Sequence, residues 1–425
     1  MSRSSLLVDL GSTYIKVAVL HSGDSIVAER RFPFPDFASL GGLYRTVDPH
    51  EVVSSVEAAI ASVLPLAGQP ERILLSGQMH GWTLTDERNV PHLPLATWQD
   101  NRAALVVGSG ITHLDNMRRA QPPEVWDAAG NELRSGLPVA GIYATDLTTI
   151  EGRIRVHSLL SWVAAALSDN PKFAQHITDA AASGMFDLRA GSWSEPLAAL
   201  AGGTRLVLPQ VLQIPEAIGI HHASGAAVIT PVGDQQAALL GAGIAEDVTA
   251  FNIASGGQVA RLAHEHAGHS TQTRPYFDGL FVHTKTHLPA GRALTHGISL
   301  LSRGRTDDEA WAWATEASAA DSGLALPHCL PTFHNVSGGH WSGVTDAHRP
   351  EDLVRALVTA IAAAYVDGAL DVGFRPTDTL LFCGGVAQRF IPLRTAIQSR
   401  LNRPQRVVPQ GDMALRGLAV LAGRM

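Results

Sequence analysis

Four short segments carry residue types that could do chemistry on a phosphate or a sugar. In Gly233-Asp234-Gln235-Gln236-Ala237 an aspartate opens an Ala/Leu-rich helix predicted to run toward Gly243. Aspartate often caps a helix at such a place. The same helix N-terminus attracts phosphate and keeps a carboxylate ionised, as a proton acceptor must be. In Asp9-Leu10-Gly11-Ser12-Thr13-Tyr14-Ile15-Lys16, the turn residues can aim backbone N–H groups and hydroxyls at phosphate oxygens. A plain hairpin accounts for that turn by itself. Asp9 asks for more, because a carboxylate inside an apolar strand costs free energy unless it finds a partner. At the end of a first strand it could hold Mg2+ through water.

Two further segments suit a polyol. Ser76-Gly77-Gln78-Met79-His80-Gly81 follows a buried strand, and Gln78 and His80 offer donors and acceptors beside glycines that let a backbone approach a ligand. Thr97-Trp98-Gln99-Asp100-Asn101-Arg102 combines an aromatic ring, a carboxylate and a guanidinium, a mixture that can bind both the C–H faces and the hydroxyls of a sugar. Taken singly, these residues also read as a core histidine and a surface Asp–Arg pair. Leu381-Phe382-Cys383-Gly384-Gly385-Val386-Ala387 is a strand running into paired glycines and a helix, a common backbone platform for a nucleotide.

The elements that must position these groups alternate between strand and helix, which argues for an α/β architecture. The start reads strand, tight turn, strand; residues 49–64 are helical by periodicity, and Ile73-Leu74-Leu75 is a short buried strand. Residues 154–168 and 171–181 read as helices, Ala227 to Thr230 as a strand before Asp234. From Phe251 the chain again reads strand, turn, strand, followed by helices near 351–371, after Gly385 and at 412–423, with a strand at 379–383. Val8 to Thr13 and Phe251 to Gly256 share the order apolar, Asp or Asn, apolar, small turn residues, which suggests two related halves. Coincidence between two ordinary hairpins gives the same pattern. A boundary near Gly243 divides the chain into 1–243 and 244–425.

Composition excludes several classes. At 425 residues the chain is long enough for two domains, and its net charge of −7 is spread without a basic run for nucleic acid or a membrane surface. Cys329 and Cys383 cannot make a disulfide framework, the N-terminus does not read as a signal peptide, and no apolar run is expected to reach membrane-spanning length. A soluble, cytoplasmic protein is expected, with no nucleic-acid or membrane partner; its oligomeric state stays open, a homodimer included. Of the basic residues only Lys16, Lys172 and Lys285 are lysines, and none follows a glycine, so a Walker A loop is absent. His264, His266 and His269 lack zinc-protease spacing and read as a solvated loop, while His283 and His287 flank Lys285 on a predicted strand.

In this order the segments resemble the FGGY family of carbohydrate kinases, over nearly the whole chain. The resemblance implies an α/β, two-domain actin-like ATPase (ribonuclease H-like) fold with an interdomain cleft, and ATP and Mg2+ as cofactors. By that likeness Asp234 is the catalytic base and, with Asp9, a metal-associated carboxylate. Gln78, Met79, His80, Trp98, Asp100, Arg102 and Gln235 fall where the substrate loops lie. Gly11, Ser12, Thr13 and Lys16 belong to the first phosphate loop, and Ser255, Gly256, Gly257 and Gln258 to the second. Gly384, Gly385 and Gln388 fall at the adenosine motif. The SGQMHG wording is similar to xylulokinase-like members, whereas Thr-Trp-Gln-Asp and Gly-Asp-Gln-Gln-Ala are closer to sedoheptulokinase. Ala254-Ser255-Gly256 departs from the family's commoner Gly-Thr-Ser, and the C-terminal half is short.

The implied activity is phosphorylation of a neutral ketose, sedoheptulose to its 7-phosphate, with xylulose or another pentulose or polyol as the alternative. A non-catalytic sugar or nucleotide sensor on the same fold is the rival of another class. The intact Asp9 and Asp234 speak against it.

Overall fold

The structure is a computed structural model, and it describes residues 4–21, 25–108, 110–267, 271–320, 322–333 and 338–425. The chain forms two compact units. The first comprises residues 1–243, 273–281 and 412–425, and the second 244–272 and 282–411. A boundary does fall after Gly243, but two later segments return to the first unit, which a single cut does not provide.

The first unit is built on an eight-stranded sheet. In spatial order its main path is Ser168–Asp169, Ala217–His221, Ala227–Ile229, Arg72–Gly77, Ser4–Leu10, Tyr14–His21 and Ser25–Pro33, with Val232–Gly233 paired to Arg72–Gly77. Ser4–Leu10 is buried along its whole length, as a central strand covered on two sides must be. It pairs antiparallel with Tyr14–His21 and parallel with Arg72–Gly77, which sets Asp9 opposite Lys16 on one side and Ser76 on the other. Helix Pro49–Ala67 buries Val52, Val56, Ile60 and Val63 against this sheet. The last helix, Met413–Arg424, lies on helix Asp234–Ala242 so closely that side chains on Gly241 or Gly417 would strike the opposing backbone. A second, six-stranded sheet in this unit contains Ile154–Ser158 and Trp82–Thr85.

The second unit repeats the arrangement. Val248–Ile253 pairs antiparallel with Gly257–Ala263 and parallel with Thr379–Cys383, placing Asn252 opposite Gln258 and Cys383. The likeness of Val8–Thr13 to Phe251–Gly256 is therefore topological as well as verbal. Phe251 and Phe382 stack in this core, with Ile361 and Tyr365 of helix Pro350–Asp371 packed around them. Buried Arg261 forks onto Asp378 (Nε–Oδ2 2.7 Å, Nη2–Oδ1 3.2 Å), and Thr249 also donates to that carboxylate.

Three expectations about elements need correction. Residues 154–158 are a strand, because Ile154 and Val156 alternate inward against Trp82–Thr85; the helix begins at Leu159, where the Ser158 hydroxyl accepts the Ser161 amide. Residues 171–181 also break in two, a strand Ala174–His176 and a helix Ile177–Ala181 that His176 caps. Helices Pro49–Ala67 and Pro350–Asp371 do reach membrane-spanning length and apolarity, but each buries its apolar face in a protein core.

Candidate active site

In the first unit, Asp9 sits at the edge of the opening turn with its partners fixed by strand register. Ser76 Oγ donates to its Oδ1 at 2.9 Å, and Lys16 Nζ lies 3.0 Å from its Oδ2. Lys16 also reaches Asp412 Oδ2 at 2.6 Å, so one cation bridges two carboxylates. Burial raises the Asp9 pKa, Lys16 opposes that, and Asp412 adds to it. Burial alone would lower the Lys16 pKa, but Asp9 and Asp412 outweigh it and hold the ammonium charged. Asp412 was not singled out in the sequence. Its other oxygen accepts the Leu415 amide at 3.0 Å, so it caps the last helix and neutralises Lys16 together. Ser12 and Thr13 stand at the turn's partly open surface, their hydroxyls available to a ligand.

Asp234 is the first residue of its helix, and Gly233 takes the cap position. Its Oδ1 accepts the neighbouring Gln235 amide at 2.7 Å, a bond that a cap to the next turn would not make. Burial, then repulsion from Asp9, pushes its pKa up to about 7. A carboxylate poised near neutrality beside a second carboxylate is what a general base requires. Gln78 is buried, and its side-chain oxygen has no hydrogen-bond partner among the described residues. His80 has φ 69°, and its Nδ1 donates to the Ala182 carbonyl at 2.7 Å, which leaves a lone pair on Nε2. Burial, with Arg134 nearby, drives its pKa down to about 3, so the ring is a neutral acceptor. Met79 is buried beside Gly233.

Three charged residues missed in the sequence complete this group. Arg274 forks onto Glu132 (Nε–Oε1 3.0 Å) and also donates to Gln235 Oε1. Arg134 lies within electrostatic reach of His80 and Glu132, its guanidinium partly desolvated. Their signal in the sequence was faint: Glu132, Arg134 and Arg274 stand in no motif and are gathered by the fold.

Asp100 and Arg102 turn out to face each other. The guanidinium grips both carboxylate oxygens (2.8 and 3.0 Å), stacks on Tyr44 and Trp82 at about 5 Å, and donates to Thr145, while the Arg45 amide also binds Asp100. Both side chains are buried and satisfied, so the pair locks its loop internally and does not offer itself to a sugar. Trp98 remains 37% exposed and open to a ligand.

In the second unit, a cavity of about 960 Å3 is lined by Ser255, Arg292, Asp308, Trp311, Gly385 and Arg389, among others. Gly384 has φ 94° and lies against the Ile253 carbonyl, where a Cβ would clash. Gly256 is open and exposed, whereas Gly257 is packed under Tyr365 and Gln388 is tied to the Val408 carbonyl at 3.0 Å. Gly257 and Gln388 therefore shape the platform from behind and do not line the cavity; Gln258 lies on the strand opposite Asn252. Arg292, Trp311 and Arg389 supply cationic and aromatic lining that no sequence motif marked. His264 pairs with exposed Glu246 at 2.7 Å, and His269 lies outside the described residues.

Residues 5–241 match the FGGY family of carbohydrate kinases, N-terminal domain. The chain belongs to the FGGY family. As such it is an ATP-dependent sugar kinase, a phosphotransferase. Among curated FGGY kinases, it is 25% identical over 272 residues to "Glycerol kinase 2" of Streptomyces avermitilis, covering 58% of this chain and 50% of that protein. It is 24% identical to "Xylulose kinase" of Escherichia coli over 90% of this chain and 82% of that one. The crystal structure of xylulose kinase from Rhodospirillum rubrum superposes with a TM-score of 0.86 at 20% identity, covering 99% of this chain and 89% of that chain. That likeness supports the actin-like ATPase fold.

Proposed function

We propose that this FGGY kinase transfers the γ-phosphoryl group of ATP to the terminal hydroxyl of a neutral five-carbon ketose, with Asp234 as the base. The observation that carries the reading is Asp234 itself: a carboxylate freed from capping, poised near neutrality, and grouped with Asp9, Lys16 and Gln235. Asp234 accepts the proton of the attacking hydroxyl. His80 Nε2 and the unpartnered Gln78 oxygen accept hydrogen bonds from other hydroxyls, and Arg134 donates to the carbonyl end. Lys16, held charged between two carboxylates, offsets phosphate charge near the turn at Ser12 and Thr13. The cavity at Ser255 and Gly385 takes the nucleotide, with Trp311 against its base.

The hard oxygen donors Asp9 and Asp234, close enough for Asp9 to raise the Asp234 pKa, fit Mg2+. Asp9 already accepts from Ser76 and Lys16, so it would hold the ion's water shell. When bound, Mg2+ supplies charge compensation on the phosphates. In-line phosphoryl transfer otherwise asks the chain for little beyond positioning and electrostatics.

The seven-carbon reading rested on wording around Trp98 and Gly233. Part of that basis goes, because Thr97 is fully buried and Asp100 is consumed by Arg102. The pentulose reading is supported by the similarity to a xylulose kinase along most of both chains. The test is kcat/KM for D-xylulose, D-ribulose, L-ribulose, sedoheptulose and glycerol with MgATP, read by ADP release. A preference for sedoheptulose restores the longer acceptor; no phosphorylation of any ketose or polyol sinks the assignment.

A further inference from the structure

On the outer edge of the first unit's sheet, away from the groups used above, two imidazoles and a carboxylate converge. His221 ends strand Ala217–His221, and His222 opens the turn that follows. Glu57 projects from helix Pro49–Ala67. The His221 ring is buried and stacks on His222 with centroids 5.1 Å apart. Both rings present Nε2 to the same carboxylate, His221 at 3.4 Å from Oε2 and His222 at 2.8 Å from Oε1. One ligand atom from each residue lies within 4.8 Å of the other two.

The arrangement is poor as a set of hydrogen bonds. The contact at 3.4 Å is long, and the 2.8 Å contact of His222 with Oε1 is a charge contact without hydrogen-bond alignment. Asp169, on the strand paired with Ala217–His221, adds negative potential. The backbone is firmly held: the His221 amide binds the Ala226 carbonyl at 2.8 Å, and the Gly225 amide binds the His221 carbonyl at 2.9 Å. His221 Nδ1 lies 2.8 Å from Ser224 Oγ and 3.2 Å from the Ser224 amide. The Ser224 amide donates to Nδ1, and with the hydroxyl it fixes the ring so that Nε2 points at the Glu57 carboxylate, the kind of outer-shell support that orients a ligating imidazole.

We infer that Glu57, His221 and His222 form a site for one divalent transition metal of the Zn2+ class, with water at the remaining position. Two imidazoles and one carboxylate suit Zn2+ far better than Mg2+, which prefers oxygen donors and keeps its water. The three side chains need only draw together around the ion. Bound there, the metal cross-links helix Pro49–Ala67 to the Ala217–Ile229 hairpin and stabilises the folded state by mass action. It has no part in phosphoryl transfer.

Isothermal titration of EDTA-stripped full-length protein with ZnCl2, in buffer containing Mg2+, tests the site. One equivalent binds, and Tm rises with Zn2+. Co2+ in the same site shows visible absorption. Glu57→Gln and, separately, the partly exposed His222→Ala weaken binding at least about tenfold, without changing kinase turnover in the absence of Zn2+. His264→Ala, which removes another His–Glu pair, leaves binding intact. Absence of saturable one-to-one binding in the wild type, or affinity unchanged in both site variants, overturns the inference and leaves the kinase reading untouched.

Discussion

Replacing Asp234 with asparagine separates its chemical role from its structural one, because the two are expected to move in opposite directions. The amide keeps the size and one acceptor of the carboxylate, so the Gln235 amide bond at 2.7 Å can persist. The proton acceptor is lost, and turnover should fall by about 10²–10⁴-fold, roughly 3–5 kcal/mol of barrier. Stability should rise. The carboxylate's pKa is about 7 in the folded chain against the model-compound 3.8, so the folded state binds the extra proton between those values. Wild-type stability therefore decreases as pH climbs from about 4 to 7, and the penalty is full above that window.

The side chain keeps some solvent contact, so the gain from Asp234→Asn at pH 8 should be on the order of 1–2 kcal/mol, less than the full shift implies. The same pKa sets the pH profile: only the ionised form accepts a proton, and kcat/KM for wild type should rise roughly tenfold from pH 6 to pH 8. Coupled ADP release across pH, together with thermal melts of both proteins at pH 5 and pH 8, measures all three effects. A variant with near-wild-type turnover and no change in Tm would refute the reasoning, since Asp234 would then be neither base nor buried charge.

Other perturbations follow from the same geometry. Asp9→Asn should shift the Mg2+ dependence of the rate to higher concentration and slow transfer; an unchanged Mg2+ titration would place Asp9 outside the ion's influence. Trp311→Ala should raise KM for ATP about tenfold while leaving KM for the sugar alone, and steady-state kinetics with each substrate varied decides it. Arg261→Met should destabilise the second unit by about 3–5 kcal/mol, by stranding the buried Asp378 carboxylate, read as a lower denaturant midpoint. Burial would raise the Asp378 pKa, but Arg261 and the Arg375 amide outweigh it and hold it low, so this contribution is present at neutral pH and lost as pH falls below the usual carboxylate range.

What the sequence made legible was local. Asp9 could be suspected because an ionised group in an apolar strand needs an explanation, and Asp234 because a helix start confines what an aspartate can do. The repeated hairpin was visible for the same reason: its turn residues are adjacent in the chain. Asp412, Glu132, Arg134 and Arg274 were invisible because their meaning lies in partners far off in sequence, Asp412 with Lys16 and Arg274 with Glu132. Adjacency also misled. Asp100 and Arg102 looked like a sugar-binding mixture, yet two opposite charges two residues apart on a buried loop satisfied one another. Residues 154–158 looked helical because their apolar positions suit either period, and pairing with Trp82–Thr85 settled the matter.

The last helix has a consequence for synthesis. Residues 412–425 belong to the first unit, where Met413–Arg424 packs on the helix that Asp234 opens and Asp412 completes the charge balance around Lys16. A ribosome making this chain finishes the intervening second unit before the first can close. Until residues 412–425 are made, Lys16 faces Asp9 alone, and the exposed side of helix Asp234–Ala242 is an apolar surface waiting for its cover. A chain lacking residues 412–425 would keep every motif of the first phosphate loop and the base, yet leave the unit that carries them unfinished.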